Sequence, residues 1–151
     1  MPAKRAQTPA RDGTPCPFCA IVAGTELALV VLDDDVALGF LDQRPVFPGH
    51  VLVVPRVHVE TFVDLQPEDV GPLMQRVQRV AAAVERGLGA DGSFVAMNNR
   101  VSQSVPHLHV HVVPRHRGDG LRGFFWPRRK YQPGEAEDVA EKLRAALTSA
   151  G

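Results

Sequence analysis

The sequence predicts an α+β fold with a five-stranded antiparallel sheet, one long central helix and a C-terminal helix. Five short apolar segments, each bounded by turn residues, have the length and composition of strands. Two longer segments place apolar residues at helical spacing. Because strands and helices do not alternate regularly, an antiparallel arrangement is favoured over a parallel one.

The length and composition are those of a globular protein. A chain of 151 residues corresponds to one domain, and 44% of its residues are apolar. The 17 basic residues balance the 17 acidic ones, which argues against a nucleic-acid partner. The longest apolar run has six residues, whereas a membrane helix needs about 20. With no apolar stretch behind the basic N-terminus and only two cysteines, we expect a cytoplasmic protein without a secretory signal or a membrane partner.

The strands follow from short apolar runs between turn residues. Residues 1–15 lack periodicity and are predicted to form a disordered tail, so that the single domain spans residues 16–151. The predicted strands are residues 26–32, 36–41, 50–55, 93–97 and 107–113. Three consecutive aspartates, residues 33–35, predict a hairpin turn between the first two strands. Pro55 and Pro114 are expected to end the third and fifth strands. Periodicity does not predict the order of the strands.

The long helix is predicted over residues 66–89. Apolar residues recur there at spacings of three and four, which predicts one buried stripe. Pro67 suits the first turn, Glu68 and Asp69 suit the positive end of the helix dipole, and Gly87 or Gly89 can end the helix. A second helix is predicted over residues 137–147.

A row of alternating histidines is the strongest chemical signal. Four of the six histidines fall between His107 and His116. On a strand, His107, His109 and His111 would share one face while the apolar residues between them pack on the other. Three solvated histidines, a metal site, or a nucleophile held by its neighbours would each produce this pattern. Only one carboxylate, Asp119, lies within ten residues, which disfavours a hydrolytic metal site.

Cys16 and Cys19 have the spacing of half a tetrahedral zinc site. A redox pair and two ordinary buried cysteines are the alternatives. A redox pair opens a helix inside a βαβ unit, and none is predicted here. A zinc ion needs two further ligands. His58 and His107 are candidates, although spacing alone does not select them.

Neutral polar residues flank two predicted strands. Gln103 and Ser104 precede the histidine strand, and Asn98 and Asn99 follow the fourth strand. They would either bind a ligand or form turns. Residues 115–131 are basic with interleaved aromatic residues, as in a solvated loop or in an arm that contacts phosphates and stacks on a base.

Together these residues resemble the histidine triad (HIT) superfamily of nucleotide hydrolases and transferases. Residues 107–113 match its motif, His-φ-His-φ-His-φ-φ with φ apolar, at every position. Residues 40–42, 48–55 and 103–105 and His58 also match, so that the resemblance covers roughly residues 16–118. The stretch from Arg44 through the long helix is similar to the fragile-histidine-triad branch, which cleaves dinucleoside polyphosphates. The two cysteines are similar to those of zinc-containing bacterial members.

The resemblance implies a covalent mechanism. His109 would attack the α-phosphorus of a nucleotide ester, anhydride or amide, and water would release the nucleoside monophosphate from the nucleotidyl-histidine. A backbone carbonyl at or near His107 would hold the other ring nitrogen of His109, and His111 would bond the phosphate and help protonation. A neutral imidazole is a good nucleophile near pH 7, in agreement with these roles.

The resemblance also implies the binding residues and the assembly. The implied nucleotide contacts are Asp42 with the ribose, Asn98 or Asn99 with the phosphate, and Gln103 and Ser104 with the phosphate or leaving group. The implied ligands of a structural zinc ion are Cys16, Cys19, His58 and His107. A homodimer that joins two five-stranded sheets is implied as well.

We therefore expect a nucleotide hydrolase that acts on adenylated compounds, either dinucleoside polyphosphates or adenosine phosphoramidates, and releases AMP. A nucleotidyl transferase or phosphorylase would use the same intermediate on His109 with another acceptor. A zinc-held nucleotide-binding module with little turnover is the third possibility, but the intact triad beside Gln103 and Ser104 argues against it.

Overall fold

The computed structural model describes residues 15–121 and 128–149 of the chain. Its elements are α1 (Pro17–Ala23), β1 (Val30–Asp33), β2 (Ala37–Leu41), β3 (Val51–Pro55), a 3₁₀ turn (Phe62–Asp64), α2 (Pro67–Leu88), β4 (Gly92–Ala96), β5 (Val110–Arg115) and α3 (Glu135–Ser149). Of the described residues, 15–119 form one compact unit, and 120–121 with 128–149, including α3, belong to a second. None of the helices in the described ranges has the length and apolarity that a membrane span requires.

The five strands form one antiparallel sheet in the order β1-β2-β3-β5-β4. The predicted hairpin is confirmed, because β1 pairs with β2 and Asp34 forms the turn. Its Oδ1 accepts hydrogen bonds from the backbone N–H groups of Val36 (2.9 Å) and Ala37 (3.0 Å). The strand that follows the first two triad histidines, β5, lies inside the sheet between β3 and β4. The predicted α+β class with a five-stranded antiparallel sheet is confirmed.

The long helix α2 covers one face of this sheet. Its predicted apolar stripe is confirmed, and the helix ends where Gly89 adopts a left-handed φ of 66°. The buried stripe consists of Leu73, Val77, Val80 and Val84. These side chains pack in one cluster with alternate residues of the central strands, among them Val53 of β3 and Val110 of β5.

The opposite face is covered by α1, a seven-residue helix that the sequence analysis did not predict. Two turns are too short for hydrophobic periodicity to be read. The local signals are nevertheless present: Pro17 occupies the first turn, and Cys16 caps the N-terminus by accepting a hydrogen bond from the Cys19 N–H at 3.4 Å. Phe18 and Cys19 are buried against β2 and β3. The helix therefore places both cysteines against the sheet.

β5 differs from its predicted bounds of 107–113 at both ends. It begins only at Val110, and it continues through Pro114 to Arg115. The Arg115 carbonyl accepts a hydrogen bond from Asp91 on the β4 side. Successive residues of a strand direct their backbone N–H and C=O groups to opposite neighbouring strands. Because the backbone groups of Arg115 face β4, the nitrogen of the preceding Pro114 faces β3. Since β3 pairs with β5 only as far as Val112, the missing N–H of Pro114 interrupts no hydrogen bond there.

β1 is also shorter than predicted. The strand covers Val30–Asp33 rather than residues 26–32, and its register with β2 shifts between Val30 and Leu32. Leu27 and Leu29 precede it and are 90% and 72% exposed. Because β1 is an edge strand with a single neighbour, an apolar run alone does not predict how far its pairing extends.

Candidate active site and metal centre

The triad histidines lie on the sheet face that α1 covers. His107 and His109 are buried, and His111 is half-buried. The ring centroids of His109 and His111 are 5.0 Å apart. The intervening Leu108 and Val110 belong to the core under α2. The predicted alternation between the two faces is confirmed, although only His111 lies within β5.

One hydrogen bond decides which nitrogen of His109 can react. Its Nδ1 lies 2.8 Å from the backbone oxygen of His107, the contact that the resemblance implies. A carbonyl oxygen only accepts, so Nδ1 carries a proton, and in the neutral ring Nε2 keeps its lone pair. Among the described residues, no buried side-chain nitrogen or oxygen lacks a hydrogen-bond partner. Within the described part of the chain, the Nε2 of His109 makes no hydrogen bond, so its lone pair is available.

His111 is oriented by His50, which was not among the predicted site residues. The Nδ1 of His50 accepts a hydrogen bond from the Val46 N–H at 3.1 Å, so in the neutral ring Nε2 carries the proton. That Nε2 lies 2.9 Å from Nδ1 of His111 and donates to it. The Nε2 of neutral His111 is therefore protonated and available as a donor. The chain of hydrogen bonds gives His111 the tautomer opposite to that of His109.

Burial keeps His50 and His111 neutral. It lowers the pKa of His50, against an opposing effect of the Asp42 carboxylate. It also lowers the pKa of His111 to about 4, and the neighbouring His109 and His50 act in the same direction. Both rings are therefore uncharged near pH 7, as the tautomer assignment requires.

Asp42, His50 and His111 place three possible metal-binding atoms within 4.8 Å of one another. The hydrogen bonds favour a polar network over a metal site. A metal on Nε2 of His50 would require a proton on its Nδ1, but that atom accepts from Val46. Asp42 Oδ2 lies 3.7 Å from Nε2 of His50. The Oδ1 of the same Asp42 carboxylate accepts a hydrogen bond from the Arg44 N–H at 2.9 Å. The predicted ribose-binding carboxylate thus borders the histidine network.

The four predicted zinc ligands come together beside this network. Their ligand atoms, from Cys16, Cys19, His58 and His107, all lie within 4.8 Å of one another. The Nδ1 of His58 is 3.2 Å from the Cys19 sulfur, and the Nδ1 of His107 is 3.4 Å and 3.5 Å from the sulfurs of Cys16 and Cys19. The spacing alone did not select the two histidines, whereas the fold brings both to the cysteines.

The chemistry of this cluster fits a structural zinc ion. Two thiols and two imidazoles form the Cys₂His₂ set of tetrahedral zinc sites. The Nε2 of His107 donates to the Pro55 carbonyl at 3.0 Å, so the Nδ1 lone pair faces the sulfurs. A second ring nitrogen held by a carbonyl is the usual orientation of a metal-binding histidine. Burial lowers the pKa of His107 to about 4, so the ring is in the neutral form that a ligand must have.

Gln103 connects two loops. Its Nε2 donates to the Glu60 carbonyl at 2.6 Å, and its Oε1 accepts from the Arg100 N–H at 2.9 Å. Among the described residues, these are its hydrogen bonds, and neither joins it to a triad histidine. The amide therefore holds the 100–103 loop against the segment before the 3₁₀ turn.

The asparagines predicted to contact phosphate lie in the same loop region. Asn99 Oδ1 accepts from the Phe62 N–H at 2.8 Å, and Asn98 Nδ2 donates to the Ser102 carbonyl at 3.3 Å. Ser104 is exposed. Ser102 has a left-handed φ of 59°, in a tight loop held by these side chains. The contacts with nucleotide stay predictions for all four polar residues of this region.

Two sequence-level predictions fall partly outside the described residues. Residues 1–14 of the predicted tail lie outside them. Residues 122–127, which include three of the four aromatic residues of the basic segment 115–131, do so as well.

The chain has relatives of known family. The HIT domain family matches residues 25–118. Protein hit of Bacillus subtilis is 32% identical over 139 residues, which are 89% of this chain and 95% of that protein. The adenosine 5′-monophosphoramidase hnt1 of Schizosaccharomyces pombe is 29% identical over 134 residues, 87% of this chain and 98% of that protein. A crystal structure of a zinc-bound histidine triad family protein from Mycobacterium smegmatis is 40% identical, with a TM-score of 0.68, and the match covers 90% of this chain and 97% of that one.

The matched region contains the features on which the resemblance was based. Residues 25–118 include all five strands, α2, His58 and the three triad histidines. The two cysteines precede this region on α1 and its cap. Family match, fold and histidine geometry agree, and the chain belongs to the HIT family.

Proposed function

We propose that this protein is a nucleotide hydrolase that cleaves adenylated compounds through a nucleotidyl intermediate on His109 and releases AMP. The substrates are dinucleoside polyphosphates or adenosine phosphoramidates. The observation that carries this proposal is the hydrogen bond from Nδ1 of His109 to the His107 carbonyl at 2.8 Å. It leaves the lone pair of Nε2 free to attack phosphorus. The similarity to an adenosine 5′-monophosphoramidase supports the substrate class.

The reaction takes two displacements at the α-phosphorus. In the first, Nε2 of His109 forms a bond to phosphorus while the bond to the leaving group breaks, and the ring becomes a cation with Nδ1 still protonated. A phosphate leaving group departs as an anion, whereas an amine must gain a proton. In the second step, water attacks phosphorus, the P–N bond breaks, His109 returns to its neutral form, and the proton from water goes to solvent with AMP released.

His111 serves the phosphate in this scheme. Its protonated Nε2 follows from the hydrogen bond that His50 donates to Nδ1, and a donor beside His109 stabilises negative charge on a phosphoryl oxygen. A bound anionic phosphate raises the pKa of a neighbouring imidazole. A second proton on His111 would occupy Nδ1, where His50 now donates, so His111 can protonate an amine leaving group only after the His50 ring gives up that hydrogen bond.

The remaining contacts are assigned by the family resemblance. We propose that Asp42 binds the ribose hydroxyls, and that Gln103, Ser104, Asn98 and Asn99 provide polar contacts to the phosphate or leaving group. Asp42 lies next to the histidine network, which supports its place at the edge of the site. The Nε2 of Gln103 has a second N–H besides the one that it donates to the Glu60 carbonyl, so the amide can donate to phosphate without losing either of its present hydrogen bonds.

We further propose that zinc binds Cys16, Cys19, His58 and His107. When bound, the ion supplies structural cross-linking between α1 and the sheet rather than a reactive ligand, because four protein ligands leave no open position. The Cys₂His₂ cluster and the similarity to a zinc-bound relative support this assignment. Elemental analysis of the purified protein should find about one zinc per chain.

We also propose that the protein works in the cytoplasm as a homodimer. Both β1 and β4 are edge strands of the sheet, and joining two sheets requires a free edge. Light scattering of the purified protein should give twice the chain mass of 16.4 kDa. A mass of one chain at micromolar concentration would contradict the dimer.

The hydrolase proposal is tested by trapping the intermediate. Wild type is mixed briefly with diadenosine tetraphosphate or adenosine phosphoramidate and quenched in base, which preserves a phosphoramidate bond. Intact-mass spectrometry should find an adenylyl adduct on wild type and none on His109→Ala. His116→Ala is the matched control, because His116 is an exposed histidine outside both clusters, and it should form the adduct as wild type does.

The products distinguish the remaining functions. Release of AMP that is unaffected by added inorganic phosphate identifies water as the acceptor, whereas formation of ADP would identify a phosphorylase. Binding of AMP without an adduct or turnover of either substrate would overturn the proposal in favour of a binding module. An adduct that forms equally well on His109→Ala would place the nucleophile elsewhere.

A further inference from the structure

The contacts of Phe18 connect the metal cluster with His109. Phe18 lies between Cys16 and Cys19 in the chain and is 8% exposed. Its ring centroid is 5.1 Å from that of His109, with the planes at 81°, and 5.9 Å from that of His107, with the planes at 71°. Both are edge-to-face arrangements, which aromatic rings prefer. The segment that provides two metal ligands thus also packs a ring against the proposed nucleophile.

His109 needs more than its hydrogen bond to hold a fixed direction. The hydrogen bond from Nδ1 to the His107 carbonyl fixes one edge of the imidazole ring. The ring can still tilt about an axis through Cβ and Nδ1. Productive attack requires the reacting group to be held within about 10–20°. Two aromatic rings pack against His109 and restrict this tilt, those of Phe18 and His111, at centroid distances of 5.1 Å and 5.0 Å. The His111 ring is itself held by a hydrogen bond from His50. Phe18 is the apolar one of the two rings that pack against His109.

We propose that Phe18 is a positioning residue for the reaction, which holds the His109 ring so that Nε2 points toward the bound phosphorus. This inference rests on the proposed function of His109. It adds that the metal-binding segment contributes to the chemistry through a side chain that is not a metal ligand. A substitution of Phe18 should therefore slow formation of the nucleotidyl intermediate without weakening substrate binding.

A purely structural role for Phe18 predicts a different result. Phe18 also packs on Phe40 at 5.4 Å and belongs to a buried cluster with Leu38, Leu52 and Val54. If Phe18 acted only as part of that cluster, every substitution that leaves a cavity there would lower activity in proportion to the stability that it costs. Leu38 offers the matched control, since it is 3% exposed in the same cluster, lies on β2 and has no ring to pack against His109.

The kinetic test compares Phe18→Leu with Leu38→Ala, both loaded with zinc. An edge-to-face aromatic contact corresponds to about a 2- to 12-fold effect. We expect Phe18→Leu to lower kcat for AMP release by that factor and to leave KM within about twofold. Leu38→Ala should lower Tm at least as much as Phe18→Leu does while keeping kcat within about twofold of wild type. Equal losses of kcat in the two variants would overturn the inference.

A spectroscopic test of the positioning role does not require the enzyme to turn over substrate. The two ring nitrogens of a histidine give distinct ¹⁵N signals that report which one is protonated. At constant pH and zinc content, wild type and Leu38→Ala should show His109 with a protonated Nδ1 only. Phe18→Leu should keep this tautomer, because the His107 carbonyl sets it, but should broaden the His109 signals as the ring becomes free to tilt. Unchanged signals together with an unchanged kcat would overturn the positioning role, whereas absence of an adduct on wild type would instead overturn the proposed function.

Discussion

Two neighbouring groups of residues use the histidine side chain in opposite ways. We call them the metal cluster (Cys16, Cys19, His58 and His107) and the nucleophile cluster (His50, His109 and His111), after their proposed roles. In the metal cluster, His107 donates Nε2–H to a backbone carbonyl and directs the lone pair of Nδ1 at two sulfurs. Two residues later, His109 donates Nδ1–H to a carbonyl and keeps the lone pair on Nε2. His111 accepts at Nδ1 from His50 and so presents a proton on Nε2. Three histidines in one row therefore present a lone pair on Nδ1, a lone pair on Nε2 and an N–H donor, which suit the roles of metal ligand, nucleophile and donor that we propose.

The difference teaches that the partner of the second ring nitrogen determines the role of a histidine. Nothing in the identity or spacing of His107, His109 and His111 separates these roles. The separation comes from the Pro55 carbonyl, the His107 carbonyl and the His50 ring. Removing one of these hydrogen bonds should therefore change the geometry of one cluster and leave that of the other unchanged.

The metal cluster is where we expect the largest loss of stability. Cys16→Ser removes a zinc ligand, and structural zinc sites contribute a large part of the folding free energy of small domains. We expect Tm to fall by about 10 °C or more and the bound zinc to be lost. Differential scanning calorimetry and elemental analysis measure both. His109→Ala is the comparison from the nucleophile cluster, and it should retain its zinc; a Cys16→Ser protein with the Tm and zinc content of wild type would refute the metal assignment.

The nucleophile cluster should respond to a change at His50 without losing its metal. His50→Ala removes the donor that orients His111 and the acceptor of the Val46 N–H. Leaving a buried polar group without its hydrogen bond costs about 1–3 kcal/mol, which corresponds to about 5- to 150-fold in rate. We expect kcat for AMP release to fall by this factor at unchanged zinc content. The exposed His116 is the control, and an equal loss of activity in His116→Ala would show that the effect is unspecific.

The smallest expected effect is the pH dependence of stability that His111 contributes. Its pKa is lowered to about 4 in the folded protein, so the unfolded chain binds the additional proton as pH falls. The contribution is fully present above the ordinary histidine pKa of about 6.5 and is lost progressively down to about pH 4. Allowing for solvent screening, His111 should account for about 1 kcal/mol of destabilisation between pH 7 and pH 5.

This prediction is measured as a difference between variants. Urea unfolding at both pH values should show a shallower pH dependence for His111→Asn than for wild type. His116→Asn should match wild type, because that side chain is exposed. Identical pH dependence in all three proteins would mean that His111 is not held neutral by the fold.

The prediction of the fold from sequence was strongest where periodicity was long. The stripe of α2 and the hairpin around Asp34 were both found, since each depends on local spacing or turn chemistry. The helix α1 was missed because seven residues carry too little periodicity. The end of β5 was placed wrongly at Pro114, because whether a proline ends a strand depends on which neighbour its nitrogen faces.

The residues predicted for the candidate site lie close together in the fold, and their roles stay predictions. The four metal-cluster residues and the triad were identified, and the fold places them together. His50 was not included, although it lies in a segment that matches the family pattern, because its contact with His111 depends on the pairing of β3 with β5. Phe18 was not included either, because an aromatic residue between two cysteines carries no signal of what it packs on.

The sequence by itself determined the fold class, the alternation of histidines across a sheet and the two cysteines at the spacing of half a zinc site. These depend on the period of a strand, the amphipathic repeat of a helix and the chemistry of side chains, all of which are local. The tertiary structure decided which sheet neighbour each strand has, and thereby which carbonyl or ring meets the second nitrogen of each histidine. Hydrogen bonds over separations of 52 and 61 residues, from His107 to Pro55 and from His50 to His111, depend on strand register, which no local pattern contains.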